Sequence, residues 1–299
     1  MKLLIYGSKG WIGNQFINYL KEYNLNNLEK IDYIEGLVRI DNTEELKTEI
    51  LEINPTNIIT FIGRTHGKID NKIYSTIDYL EQEGKLVENI RDNLFSPISL
   101  ALICKEFDIH YSYLGTGCIF DYDNNHPYGK DINGFTEEDK PNFFGSSYSI
   151  VKGFTDRLFH QLDNNCLNMR IRMPITCENN NRNFITKIIK YEKICSIPNS
   201  MTVLEEFYPI IIDLLKNKTT GTINLTNPGL ISHNEILELY KKYVDKNFKW
   251  KNFTIEEQNN ILDSKRSNNY LNTLKLKNMF PNINHIKKSV ENILKKYKK

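Results

Sequence analysis

A tyrosine and a lysine one helical turn apart, a thiol next to a glycine, and a glycine-rich turn are the features of this 299-residue chain whose residue types and spacing suit chemistry. Tyr148 and Lys152 stand four apart in Tyr148-Ser149-Ile150-Val151-Lys152, so a helix over them puts both side chains on one face. A free phenol, with a pKa of about 10, exchanges protons poorly at neutral pH, but a nearby ammonium group favours the phenolate and brings it into range. The same lysine can hold a nicotinamide ribose. Such a pair occurs on many helices that do no chemistry, and it becomes informative only beside a cofactor site.

The second element is Leu114-Gly115-Thr116-Gly117-Cys118-Ile119-Phe120, which ends an apolar run that begins near Ile109. Ligands of open parallel sheets bind at the carboxyl ends of the strands. Period two places Thr116 and Cys118 on a common side if the extended geometry persists, with Thr116 able to hydrogen-bond a substrate carbonyl beside Tyr148. A carbonyl reductase needs no thiol, whereas an enzyme that removes protons from carbons next to a ketone needs a base. Thiols titrate near about 8.5, and nearby cations or dipoles lower that value, so a thiolate suits the work. A free cysteine is as often a small buried hydrophobe, and position alone leaves Cys118 between the two.

Gly7-Ser8-Lys9-Gly10-Trp11-Ile12-Gly13 separates the apolar run Lys2 to Tyr6 from a stretch, Trp11 to about Tyr23, in which Ile12, Phe16, Ile17 and Leu20 recur at helical spacing. Strand, glycine turn and helix in that order suit a dinucleotide. The glycines let backbone N–H groups approach a pyrophosphate, whose charge the helix N-terminus favours. The loop from Gly7 to Gly13 is expected to bind the cofactor, with Gly63 after the third strand and with Tyr148 and Lys152. Near the end of the second strand an acid marks NAD and a base marks NADP. Glu35 stands close to the acidic position, while Lys9 and Arg39 can both reach a 2′-phosphate; two cations against one carboxylate favour NADPH.

The elements that position these groups repeat in a regular way. A strand near Ile31 to Ile34, a helix from Thr43 to Ile53, a strand at Asn57 to Ile62, a long helix from about Glu83 to Phe107 and a strand at Ile109 to Leu114 follow the first unit. A helix over roughly Gly145 to Leu162 carries Tyr148 and Lys152, and a strand at Leu167 to Arg172 returns to the sheet. Repeated strand–helix units build a doubly wound parallel sheet of the α/β class, a Rossmann domain over residues 1–173. From Pro174 the pattern changes to an Asn-rich loop and short helices near Phe184 to Tyr191, Val203 to Lys216 and His233 to Val244. A strand at Thr222 to Leu225 and a polar C-terminal region complete it. Residues 174–299 read as a smaller substrate lobe packed against the first, with elements free to return to the core.

Composition excludes several other classes. Lys+Arg 39 against Asp+Glu 37 leaves a formal charge of +2, and the run Lys295-Lys296-Tyr297-Lys298-Lys299 is short enough for a solvated helix end, so neither nucleic acid nor membrane is an expected partner. No apolar run approaches the roughly 18–20 residues of a membrane span, and the N-terminus has no signal-peptide layout, so a cytoplasmic enzyme is expected. Cys104, Cys118, Cys166, Cys177 and Cys195 show no metal spacing, so reduced thiols and no metal are expected.

Taken together, the Gly7 to Gly13 loop, Thr116 to Phe120, Glu138 to Ser146, Arg172-Met173-Pro174, Arg182 to Lys187, Ile197 to Leu204, Thr226 to Gly229 and Arg266 to Asn269 resemble one family. It is the plant-type bifunctional UDP-4-keto-6-deoxy-glucose 3,5-epimerase/4-reductase of UDP-L-rhamnose synthesis, an extended short-chain dehydrogenase/reductase. The resemblance covers nearly the whole chain. It implies that Cys118 abstracts protons from C5 and C3, that Thr116 and Tyr148 stabilise the enolate oxygen, and that Lys187 protonates from the opposite face. Hydride from NADPH then reaches C4 while Tyr148 gives its proton and Lys152 stabilises the phenolate. It further implies that Asn183 and Arg266 contact the diphosphate, that Arg64 sits over one of the ligands, and that the protein is a homodimer. A related family, GDP-fucose synthase, is similar in its Ser/Thr-x-Cys and Tyr-x-x-x-Lys elements but uses a histidine after the last core strand. No histidine stands between Met173 and Lys190 here, and a phosphate-binding or surface role for Lys187 stays open. The segment Thr65 to Glu83 is longer than the plant pattern. The competing readings are a 4-keto-sugar reductase for another nucleotide sugar, which needs no Cys118, and a non-catalytic NADP-binding subunit, which needs none of Tyr148, Lys152 and Cys118.

Overall fold

The computed structural model describes residues 1–162 and 164–297; Lys298 and Lys299, the end of the C-terminal basic run, lie outside the described residues. In chain order the first elements are β1 (Lys2–Tyr6), α1 (Trp11–Asn26), β2 (Asp32–Glu35), α2 (Thr43–Ile53), β3 (Asn57–Thr60) and a hairpin of β4 (Gly67–Ile69) and β5 (Lys72–Tyr74). Then come α3 (Lys85–Ile90), α4 (Ser96–Glu106), β6 (His110–Thr116), α5 (Ser147–Phe159) and β7 (Cys166–Ile171). Beyond them lie β8 (Pro174–Ile175), α6 (Phe184–Ile188), β9 (Lys193–Ile194), β10 (Thr202–Val203), α7 (Leu204–Lys216), β11 (Gly221–Asn224), α8 (His233–Tyr243) and β12 (Lys251–Asn252). Three more helices, α9 (Ile255–Asn259), α10 (Leu274–Met279) and α11 (Ile286–Lys296), complete the described chain.

Six strands form one parallel sheet in the order β11-β7-β6-β3-β1-β2. Strands buried on both faces are largely apolar, and β3, β6 and β7 are buried at every position, polar residues such as Asn57, Asn168 and Arg170 included. Leu3 and Ile5 of β1 face a core that includes Phe16 and Leu20 of α1 and Phe207 and Ile211 of α7. Leu4 and Tyr6 face the opposite core, with Leu46 and Ile50 of α2 and Leu100 and Cys104 of α4. The direction of winding reverses between β1 and β3, the switch point at which such sheets bind ligands, and the Gly7 loop leaves β1 there.

The helix expected from about Glu83 to Phe107 forms, with one departure: Arg91–Phe95, between α3 and α4, is a π-helical segment. It buries Asp92 and Asn93. Asn93 donates to the Arg64 carbonyl at 2.9 Å and accepts from the Arg64 N–H at 3.0 Å, tying the widened turn to the chain that leaves β3.

α5 is fixed to the sheet by a buried ion pair. Arg170 of β7, 0% exposed, donates from Nη2 and Nε to the two oxygens of Asp156 at 2.7 and 2.8 Å, and Asn168 adds a third bond at 2.9 Å. Burial pushes the Asp156 carboxyl up, but the guanidinium's hydrogen bonds and charge more than offset this and hold it at about 2. Because the folded value lies below the ordinary one of about 3.9, the pair stabilises the fold above that pH, and this contribution is lost as the pH falls toward about 2. Asp156→Asn leaves Arg170 buried without a counter-charge and is expected to cost about 3–5 kcal/mol, read as a lower urea midpoint at neutral pH.

Residues 204–225 return to the main sheet, α7 to its face and β11 to its edge, so the smaller lobe is built from what flanks them. Ile175, Ile185, Ile188 and Val203 pack there against Ile236 and Leu237 of α8. The C-terminal region, expected only as polar, supplies α11, whose Ile286, Val290, Ile293 and Leu294 close this core at helical spacing.

Candidate active site

The glycine loop is as tight as its composition requires. Gly7 has φ 79°, in the left-handed region open to glycine, and its carbonyl accepts from the Gly10 N–H at 3.0 Å. A Cβ on Gly13 would stand 2.2 Å from that carbonyl oxygen, so only glycine lets the first turn of α1 cross the loop this closely. The indole Nε1 of Trp11, buried beside the loop, has no hydrogen-bond partner. A cradle that a Cβ would fill and an orphaned donor fit a dinucleotide.

Around Asp92 the chain gathers cations. Arg39, largely exposed, pairs with Asp41 at 3.0 Å and lies 3.8 Å from Asp92. Arg91, which the sequence reading missed, donates to Asp92 at 2.8 Å, and Arg64 binds the same carboxylate at 2.9 Å. Glu35 and Lys9 are exposed, and Gly63 lies against Asn93, with 3.3 Å between a Cβ built there and Asn93 Oδ1.

At the carboxyl end of β6 the strand stops at Thr116, so Cys118 does not follow it in extended geometry as expected. The chain turns instead, and the Thr116 hydroxyl accepts from the Cys118 N–H at 3.1 Å. The turn is fastened to α5: Ser149 donates to the Cys118 carbonyl at 2.7 Å, and Ser146 caps the helix by accepting from the Ser149 N–H at 3.1 Å. Thr116 and Cys118 therefore still meet Tyr148, by a turn rather than by strand alternation. Thr116 hydrogen-bonds Tyr148, and Cys118 packs in one cluster with it.

Burial pushes the Tyr148 phenol up, and the neighbouring sulfur adds to this, while the Thr116 hydrogen bond works the other way. Lys152, on the same face of α5, is pushed down by burial to about 7, with Asp156 and Cys118 opposing. Its ammonium donates to the hydroxyl of Tyr113 and lies 4.4 Å from that ring's centre.

Cys118 and Tyr148 open onto a cavity of about 880 Å³, walled on the far side by Met173, Phe184 and Arg266. From the segment Thr65 to Glu83, Thr76, Ile77 and Asp78 line it. Asp78 lines the cavity and grips Arg266 at 2.6 Å, Tyr79 packs against Tyr148, and Glu81 accepts from the Ser147 N–H at 2.7 Å.

The remaining expected site residues divide. Arg266 lies on the cavity. Asn183 does not: it is 0% exposed, and its amide donates to Thr176 O and Glu178 O at 2.8 and 2.7 Å while its oxygen caps α6 at Ile185 N. The expectation that Asn183 contacts a diphosphate is corrected accordingly, because every polar atom of its side chain holds the loop before α6. Arg64 is turned to Asp92 and Glu88 and is not on the wall of this cavity. Lys187 is not on the wall itself; burial, then Arg182 and Arg266, lower its ammonium to about 8. His66, another residue the sequence reading missed, lies within electrostatic range of Lys187, Arg182 and Arg64, and burial with these cations holds it neutral at about 4. No motif or spacing in the sequence marks it.

No family model matches the chain. It is similar to the crystal structure of a UDP-rhamnose synthase from Acanthamoeba polyphaga mimivirus, with 52% identity, a TM-score of 0.92 and 99% of each chain covered. A bifunctional dTDP-4-dehydrorhamnose 3,5-epimerase/dTDP-4-dehydrorhamnose reductase of Arabidopsis thaliana is 43% identical over 288 residues, 96% of this chain and 90% of the plant protein. A trifunctional UDP-glucose 4,6-dehydratase/UDP-4-keto-6-deoxy-D-glucose 3,5-epimerase/UDP-4-keto-L-rhamnose-reductase from the same plant is 43% identical over 291 residues. The chain spans 97% of itself but 41% of that longer protein.

Proposed function

The chain belongs to the family of bifunctional nucleotide-sugar 3,5-epimerase/4-reductases, and on that premise we propose that it is an enzyme converting UDP-4-keto-6-deoxy-D-glucose to UDP-L-rhamnose with NADPH. The observation that carries this reading is the sulfur of Cys118 on the same cavity as the phenol of Tyr148. A reductase alone has no use for that thiol.

The epimerase half runs on proton transfers. Cys118 takes a proton from C5, and in a second round from C3, both acidified by the 4-keto group. Thr116 and Tyr148 hold the enolate oxygen that forms. Lys187 returns a proton to the opposite face, a role supported by an ammonium whose pKa lies at about 8, near the working pH. The reductase half needs a hydride at C4, which NADPH supplies when bound. Tyr148 then gives its proton to the alkoxide, and Lys152 stabilises the phenolate left behind. The loop from Gly7 to Gly13 holds the pyrophosphate, and Arg39 with Arg91 receives the 2′-phosphate in competition with Asp41 and Asp92. Arg266, freed from Asp78, receives the substrate diphosphate. Residues 1–173 with 204–225 carry the cofactor, and the remainder closes over the sugar nucleotide. No helix among the described residues is long and apolar enough to cross a membrane. We place the enzyme in the cytoplasm, as a homodimer.

Incubating the protein with UDP-4-keto-6-deoxy-glucose and NADPH in D₂O is expected to give UDP-L-rhamnose carrying deuterium at C3 and C5. A reduced sugar without deuterium at either carbon would leave a plain 4-keto reductase. A tenfold or greater preference for NADH in kcat/KM would overturn the choice of NADPH.

A further inference from the structure

β7 delivers two buried arginines, and their surroundings differ in one respect. Arg170 has the carboxylate of Asp156. Arg172, 1% exposed, has no carboxylate ion pair among the described residues. Its Nη1 donates to Ser267 Oγ at 2.9 Å and to the Gly117 carbonyl at 3.2 Å, and its Nη2 donates to Asn199 Oδ1 at 2.6 Å and to the Ser267 carbonyl. These acceptors are all neutral, and Nε has no partner at all. A buried cation without a counter-charge is costly. Among the described residues, the one ionisable side chain hydrogen-bonded to Arg172 is Cys118, its sulfur 3.5 Å from Nη1.

The other charged and titratable groups around this contact do not replace it. From α5, Tyr148 is neutral, and Lys152 is brought by burial to about 7 with its ammonium on Tyr113. Asp121 and Tyr122, which follow Cys118, feel Arg172 without an ion pair to it, and burial pushes both of them up. His233 of α8 is held neutral, at about 4, by burial and by Arg172. A guanidinium stays charged at every pH of interest, so the permanent cation at the sulfur is Arg172.

We propose that Arg172 is the positioning residue that supplies the counter-charge for the Cys118 thiolate, so that the base of the epimerase half is a Cys118–Arg172 pair. This rests on the role given to Cys118 above. In the step itself the C–H bond at C5 breaks, its proton forms the S–H bond, and the electron pair moves into the enolate. The negative charge thus leaves Arg172 for the oxygen held by Thr116 and Tyr148, and it returns when the thiol gives its proton to solvent, from which Lys187 regains the one it donated, before the second round. Without the guanidinium no permanent cation stands at the sulfur to favour its thiolate.

The pair is tested with Arg172→Met and Arg172→Lys against the unmodified protein, using three readouts. Alkylation of Cys118 by iodoacetamide, followed by peptide mass mapping between about pH 6 and 9.5, reports the thiolate. In Arg172→Met it is expected to be about tenfold slower at pH 7 and to converge with the unmodified protein at the alkaline end. Deuterium exchange at C3 and C5 is expected to fall about 30-fold or more, while NADPH-dependent reduction of already epimerised UDP-4-keto-L-rhamnose stays within about threefold. Arg172→Lys, which keeps the charge, is expected to restore most of both the alkylation and the exchange. Equal alkylation of Cys118 at every pH in the Met variant overturns the pair, as does a joint loss of exchange and reduction that Lys does not rescue. If the Met variant does not fold, Arg172→Gln, which keeps hydrogen bonds without the charge, carries the same expectations. Absence of exchange in the unmodified protein would remove the proposed role of Cys118, and the alkylation profile would then decide the pair by itself.

Discussion

Cys118→Ala is expected to lower deuterium incorporation at C3 and C5 by about 10²- to 10⁴-fold, the range in which a positioned base contributes, while reduction of UDP-4-keto-L-rhamnose continues. The split follows from geometry. The turn at Gly117, whose carbonyl Arg172 and Asn269 hold at 3.2 and 2.8 Å, does not depend on the sulfur. Alanine keeps the backbone contacts that Thr116 and Ser149 make with residue 118, so α5 and its tyrosine stay in place. Isotope content by mass spectrometry and fold by circular dichroism are the two measurements needed. Undiminished exchange would refute Cys118 as the base. Loss of reduction to the same extent would mean that the thiol supports the site's shape rather than its proton transfers.

Tyr148→Phe gives the converse. Reduction of UDP-4-keto-L-rhamnose is expected to fall about 10²- to 10⁴-fold in kcat, because the alkoxide at C4 loses its proton donor, with NADPH affinity nearly unchanged. Exchange falls less, since Thr116 remains to bind the enolate oxygen. The phenylalanine ring keeps the packing of Tyr148 on Tyr79 and removes only the hydroxyl that Thr116 meets. Stopped-flow oxidation of NADPH reads the first effect and fluorescence titration the second. A variant that still reduces at the unmodified rate would place the proton donor elsewhere.

Much of the doubly wound sheet could be read from local periodicity. Lys2 to Tyr6 and Asn57 onward are short continuous apolar runs that mark strands buried on both faces, and Thr43 to Ile53 carries its apolar residues at helical spacing, so the information lies in neighbouring positions. The same holds for Gly7 to Gly13, where only glycine fits beside the Gly7 carbonyl, and for Tyr148 with Lys152, which a helix must bring to one face. Where the reading stopped short, the missing information was not local. α11 hides its buried seam in a stretch whose average is polar, and the core that α11 closes is assembled from β8, β10 and α8.

The sequence by itself determined the class of fold and marked the glycine loop, Tyr148 with Lys152, and Cys118 as candidates, because these signals lie in residue type and spacing within a few positions. Only the tertiary structure decided what surrounds them. It turned the chain at Gly117 so that Cys118 meets Tyr148, spent the amide of Asn183 on the loop before α6, and turned Arg64 to Asp92. It also brought Arg172 to the sulfur with Asn199 and Ser267 around it. Those outcomes depend on which distant donors and acceptors must satisfy one another once water is excluded, and no periodicity along the chain records such pairings.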